Sequence, residues 1–483
     1  MYEYQISVLW FVVAPLQPSP GPACSPGISP SGSSCQTSEE EHDGEGTDKY
    51  YADLGKNVIY HSANFQSLEK VSAGTILNPP ETDASGHTIY LTDAEGNLIY
   101  DYLGQKIPAY QNARRPRFLV QSKDNMGESK TVMVALYKMG EDGKGRPSDI
   151  IMQRWVVTGD GNPYQIKYLV KNDIQNISSI TPTQTETYYN DDGEPRIKML
   201  RWSQSPENLN DHTSAYDNDD ARAHRGFLRG DFLAVAYTWT PNWTASRNGN
   251  DKYDLYVRRS FTGGQTWTTD PAGNGVTHTN IFRNSTDDGG GFYAEVSTYG
   301  AGAFEPAQNL SKLRNNKESI IEPRLVGVPG TIAGGRYPED IQNPNAFWVT
   351  YGTEENVDTN TNDDYDDDEG TGEPLDLYYS YSMNKGESYY TETKIINPVS
   401  ESEFAGQEVE VWDWLAKDRG DWQPAQAEAQ IRMTPDGSIF YAIWNESGVD
   451  PESGEHNSDA IFRRIMRNRG VIEVRNKPVE TEP

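Results

Sequence analysis

The feature that most constrains this chain is an internal repeat. Four segments carry the same order: a strand ending in an aromatic residue, a loop of variable length, then an Asp that opens a second strand. The first strands are Val132–Tyr137, Phe232–Tyr237, Ala346–Tyr351 and Ile439–Trp444. The second strands begin at Asp149, Asp254, Asp376 and Asp459, and three of them run into arginine, at Arg154, at Arg258 with Arg259, and at Arg463 with Arg464. A unit of a few antiparallel strands cannot bury both faces alone and must pack against copies of itself. The spacing of the four Asp residues is uneven, which fits radial sheets with loop insertions better than a solenoid of constant period. The expectation is an all-β fold, a β-propeller of six or seven blades with long acidic loop insertions.

The rest of the composition agrees with strands. Helical periodicity is nearly absent, and short aromatic or β-branched runs alternate with Gly, Asn, Asp and Pro clusters. Aromatics reach 11%, with 29 Tyr and 11 Trp, too many for a disordered chain. Thr88–Leu91 and Asn97–Tyr100 flank Asp93-Ala94-Glu95-Gly96 and read as a hairpin.

Charge narrows the partners. With 42 Lys+Arg against 72 Asp+Glu, the formal charge is -30, which repels nucleic acid and anionic lipid. The expected partner is another extracellular protein or a polysaccharide. No apolar stretch reaches the roughly 20 residues a spanning helix needs. An apolar run at 6–16 resembles the core of an export signal, without a preceding base. Residues 1–48 read as leader and linker, 49–475 as the propeller and 476–483 as a tail. Cys24 and Cys35 lie in the linker, either bridged in an oxidising compartment or unpaired. Secretion or display at the cell surface is the expected location.

Two segments resemble the Asp-box turn of sialidase-like propellers, Ser-x-Asp-x-Gly-x-Thr-Trp. They are Ser260-Phe261-Thr262-Gly263-Gly264-Gln265-Thr266-Trp267 and Ser382-Met383-Asn384-Lys385-Gly386-Glu387-Ser388-Tyr389, with Thr262 and Asn384 in place of the Asp. A longer stretch, from Asp220-Ala221-Arg222-Ala223-His224-Arg225-Gly226 through Trp239-Thr240-Pro241-Asn242-Trp243 to Tyr253-Asp254, is similar to the bacterial extracellular proteins called choice-of-anchor O, over about residues 57–284. That resemblance implies an extracellular location and no particular activity.

Three candidate sites follow. Asp358, Asn360, Asn362, Asp366 and Glu369 occupy positions 1, 3, 5, 9 and 12 of an EF-hand-like loop and are expected to bind calcium, although Asp363 stands where such loops turn on Gly. An acidic cluster at Asp217, Asp219 and Asp220 is a weaker candidate. Arg117, Arg324 and Arg432 precede the aromatic strand in three units, with Arg196 offered as the fourth. Converging on a propeller axis they would bind a carboxylate ligand bidentately; as architecture they would pair with the Asp opening the neighbouring strand. Tyr351 with Glu354 or Glu355 supplies the residue types of a sialidase-like nucleophile without specificity. The seven histidines show no metal-ligand spacing, and no nucleotide, serine-hydrolase or haem motif occurs. The function expected is a non-enzymatic binding or scaffold module stiffened by calcium. The alternative is a sialidase-like glycoside hydrolase acting on acidic sugars.

Overall fold

The computed structural model of the chain describes residues 9–14, 57–64, 67–71, 75–83, 85–120, 130–140, 147–158, 166–167, 174–189, 193–211, 219–242, 253–283, 292–313, 318–328, 345–355, 375–395, 408–411, 413–416, 425–435, 437–449, 456–468 and 471–475. Among them the chain is all-β, apart from one short 3-10 helix at Pro206–Asn210. Two compact units emerge, the first mainly residues 1–116 and the second mainly residues 117–483.

The first unit begins with strands β1 (Leu9–Ala14), β2 (Asn57–Asn64), β3 (Ser67–Val71) and β4 (Thr75–Ile76), with β2 paired to the other three. Leu9–Ala14, inside the apolar run read as an export signal, is thus an edge strand. Three tandem hairpins follow. The expected one turns at Asp93, bridged between Thr92 and Leu98, and two more turn at Asp83 and Asp101. In each, the Asp Oδ1 accepts two backbone N–H groups, from Ser85 and His87, from Glu95 and Asn97, and from Leu103 and Gln105, at 2.7–3.1 Å. A glycine at positive φ, Gly86, Gly96 or Gly104, completes the turn. Backbone bonds close these hairpins in two cycles, one through Glu81, Ile89 and Ala109 and one through Leu91, Ile99 and Ile107.

Among the described residues the second unit holds four successive groups of strands, its first to fourth sheets, the last two joined into one eight-stranded sheet. The first joins β5 (Asn112–Val120), β6 (Lys130–Gly140), β7 (Ser148–Thr158) and β8 (Ile166–Lys167), with β9 (Ile174–Asn176) also on β7. A hairpin of β10 (Thr181–Tyr189) and β11 (Pro195–Ser203) intervenes. The second sheet runs β12 (Asp220–Arg229), β13 (Phe232–Thr240), β14 (Asp254–Ser260) and, after the hairpin β15 (Val276–Arg283) and β16 (Phe292–Tyr299), β17 (Gln308–Asn309). The third runs β18 (Glu318–Gly327), β19 (Phe347–Glu355) and β20 (Leu375–Ser382), then, past the hairpin β21 (Glu392–Ile395) and β22 (Glu408–Val411), β23 (Asp413–Ala416). The fourth runs β24 (Ala425–Met433), β25 (Ile439–Val449), β26 (His456–Asn468) and β27 (Val471–Arg475), and meets β20 through one parallel pair, Leu375 with Ala425.

The repeat read from the sequence is therefore the β6–β7, β13–β14, β19–β20 and β25–β26 pairing, antiparallel in the last three. Strand alternation sends successive side chains to opposite faces, and in the middle sheets both faces are used. From β13, Leu233, Val235, Tyr237 and Trp239 pack with Val134, Leu136, Ile150 and Met152 of the first sheet. Its other face, Phe232, Ala234 and Ala236, packs with Phe347, Val349 and Tyr351 of β19. Trp348, on the opposite face of β19, packs with Phe440, Ala442 and Trp444 of β25. Burial on both faces explains why every residue of β13 is buried and why its sequence reads as an unbroken apolar run. Each large side chain so enclosed contributes about 1.5–3 kcal/mol.

Candidate functional site

Arg117 lies exposed on β5, Arg324 half-buried on β18 and Arg432 exposed on β24. The fourth equivalent is Arg225 on β12. Arg196 sits instead on the exposed β10–β11 hairpin, paired with Glu194 at 2.8 Å. A backbone irregularity precedes three of these arginines. Arg115, Ala223 and Glu322 adopt positive φ, each two residues before Arg117, Arg225 and Arg324. On β12 and β18 this is a bulge that leaves two residues opposite one. β24 carries a bulge as well, between Ala427 and Gln430, but there Gln430, opposite Ile443, takes the place held by Arg225 and Arg324, and Arg432 lies two residues further on, opposite Tyr441. The arginines then fold back on their own strands. Arg225 donates to His224 O at 2.8 Å, Arg324 to Pro323 O at 3.3 Å and Arg432 to Ile431 O at 2.7 Å. Arg324 also lies 3.9 Å from the Glu322 carboxylate. The partner of Asp254 is Arg283 of β15, at 3.0 Å.

The densest polar chemistry lies where the first two sheets meet, within each and between them. Asp149 and Asp220 are buried at the ends of β7 and β12, with Asp219 beside them. Ser178 Oγ donates to Asp149 at 2.6 Å. Ser148 donates to Asp220 from N and Oγ, at 2.8 and 2.6 Å, and the Tyr253 hydroxyl donates to its second oxygen at 2.5 Å. Trp239 Nε1 donates to Asp219 at 3.0 Å. Burial pushes the Asp149 carboxyl up to about 6, helped by the neighbouring Asp211 and Asp220 charges. Burial and the Asp149 charge raise Asp219 well above the carboxylate range. The weaker acidic cluster expected from the sequence is thus partly an inter-sheet seam; Asp217 lies outside the described residues.

One seam motif repeats and escaped the sequence reading. Asn176-Ile177-Ser178 docks on Asp149, and Asn309-Leu310-Ser311 docks on Asp254 in the same way. Each Ser Oγ donates to the Asp, at 2.6 and 2.7 Å, and accepts the N–H of the next strand residue, Ile150 or Leu255. Each Asn side chain accepts an N–H two or three residues on. The signal was present as two copies of Gln-Asn-Ile/Leu-Ser, at 175–178 and 308–311.

The opposite ends of these strands are clamped by the repeated arginines and the two turns. Ser260 Oγ accepts the N–H of Thr262 and Gly264, and Thr262 Oγ1 accepts that of Thr266 at 2.8 Å. Ser382 accepts from Asn384 and Gly386, and Asn384 Oδ1 from Ser388 at 3.1 Å. Thr262 and Asn384 therefore perform the amide capture the resembled turn assigns to Asp. Arg154 of the first sheet donates to Gly263 O at 2.8 Å, and Arg259 of the second to Lys385 O at 2.7 Å, the same position of the next turn. Arg259 also clasps Glu305 through two bonds, at 2.6 and 3.1 Å, and Glu305 meets His278 Nε2 at 2.8 Å. Arg258, fully buried, donates to Ile177 O and lies 5.4 and 5.5 Å from the Trp267 and Phe304 rings; burial pulls it down to about 10.

The expected calcium ligands Asp358, Asn360, Asn362, Asp366 and Glu369 lie outside the described residues. Among the described residues no group of three or more His, Cys, Asp or Glu side chains is placed to hold a metal ion. Tyr351 is spent in the core, its ring stacked on Tyr378 with centroids 5.4 Å apart.

No family model and no curated protein matches this chain. Among solved structures, two mutants of the levansucrase of B. megaterium are similar. One is 10% identical, with a TM-score of 0.21, over 83% of this chain and 91% of that one. The other is 10% identical, with a TM-score of 0.20, over 82% and 90%. Likeness of that size bears on neither fold nor chemistry.

Proposed function

We propose that the chain is a non-enzymatic binding or scaffold module of the β-propeller type, secreted or displayed at the cell surface and stiffened by calcium. One observation carries the reading: the buried acids and arginines of the second unit are consumed by partners within its sheets and between them. A glycosidase needs two carboxyl groups facing a substrate. Asp149, Asp219 and Asp220 are instead enclosed, with their oxygens taken by Ser178, Trp239, Ser148 and Tyr253. The resembled Asp-box turns and the four stacked sheets support the propeller; the ligand spacing from Asp358 to Glu369 supports calcium.

The test is a turnover assay with fluorogenic glycosides of acidic sugars, with and without calcium. No release above the enzyme-free rate is expected. Release that disappears in Asp149→Asn or Asp219→Asn would overturn the proposal in favour of a hydrolase.

A further inference from the structure

The three inter-sheet cores follow one rule: the forward face of each sheet meets the backward face of the next. The fourth sheet departs from it. Phe440, Ala442 and Trp444 face back into the core, whereas the opposite face leaves Ile443 47% and Phe462 45% exposed. These two stand directly across β25 and β26 from each other, with Gln430 of β24 next in line.

The neighbouring row is charged with one sign. Arg432, Tyr441, Arg464 and Arg475 occupy successive register positions across β24, β25, β26 and β27. Arg432 and Arg464 are exposed, and among the described residues neither makes an ion pair. The Tyr441 ring lies between them in register, stacked on Phe462 with centroids 6.2 Å apart. A chain with 72 acids places none in either row. Guanidinium groups in a line present carboxylate-binding forks, and the adjoining Ile443–Phe462 row offers apolar contact.

We infer that this face of the fourth sheet binds an acidic polypeptide segment of a partner protein, with carboxylates along the Arg432–Arg464 row and an apolar side chain over Ile443 and Phe462. The apolar row favours a polypeptide over an acidic polysaccharide, which has no side chain to place there. The inference deepens the binding-module reading and rests on it.

The probe is a fluorescent peptide with the sequence of residues 354–369, which carries nine acids and no base. It is titrated by anisotropy against the full chain. The Arg432→Gln/Arg464→Gln double variant is expected to weaken binding at least about tenfold, a loss of about 1.4 kcal/mol. Ile443→Ser is expected to weaken it severalfold, which charge attraction alone would not produce. Both variants alter exposed side chains, and an unchanged melting temperature verifies the fold. Absence of binding, equal affinity in the double variant, or equal binding of a peptide with every Asp and Glu replaced by Asn and Gln would overturn the inference. Arginine-dependent binding of an acidic polysaccharide instead would also overturn it while leaving the binding-module reading standing.

Discussion

At the scale of single residues, the buried carboxyls make stability depend on pH. Asp149 sits at about 6 when folded, against 3.8 when unfolded. Between those values the unfolded chain gives up its proton first, so stability falls as pH rises from about 4 to 6, by on the order of 2–3 kcal/mol. Asp149→Asn keeps an oxygen for Ser178 and removes the charge. It should raise the melting temperature at pH 7.5 and leave it unchanged at pH 4, as calorimetry across that range would report. Arg259 presents the opposite case. Arg259→Ala strands the Glu305 carboxylate, 2% exposed, beside His278. The expected cost is about 3–5 kcal/mol in urea unfolding, partly restored by adding Glu305→Gln. The repeated arginines were visible in the sequence, with both a ligand-binding and an architectural role open to them. A guanidinium that bonds the carbonyl before it, behind a bulge with positive φ, cannot be told from a ligand-binding one by residue type.

At the scale of elements, the turns were the most legible parts. The hairpin at Asp93 follows from local chemistry, because an Asp that accepts the N–H groups two and four residues on, with Gly at the third position, needs no distant partner. Asp93→Ala should speed hydrogen exchange at Asn97 while leaving exchange in β13 unchanged, measured by mass spectrometry. Thr262 and Asn384 show the same economy: a departure from the resembled motif keeps the hydrogen bond because any short side-chain oxygen reaches the amide. The Asn-x-Ser segments were missed for the converse reason. Their partners, Asp149 and Asp254, lie 29 and 57 residues away, and only the folded sheet brings them together. Ser311→Ala should cost about 1–3 kcal/mol, since it leaves both Asp254 and the Leu255 N–H short of a buried partner. Denaturant titration would show it.

At the scale of the whole molecule, calcium is the lever to test. A ligand bound only by the native state raises stability as its concentration exceeds its dissociation constant, so millimolar calcium should raise the melting temperature and EDTA should lower it. Equal transitions in both would remove calcium from the reading. What the sequence determined by itself is the strand-rich class, the four Asp-led strand pairs, the Asp93 hairpin and the turns at Ser260 and Ser382. Each of these is written in neighbouring residues through period-two alternation and short-range hydrogen bonds. What only the tertiary structure decided is which sheet faces which, that Arg196 lies on a separate hairpin while Arg225 shares the register of Arg324, and that Asp149, Asp219 and Asp220 are enclosed with their oxygens bonded. Those outcomes depend on burial and on partners distant in the chain, and burial is a property of the packed chain that no local window of sequence contains.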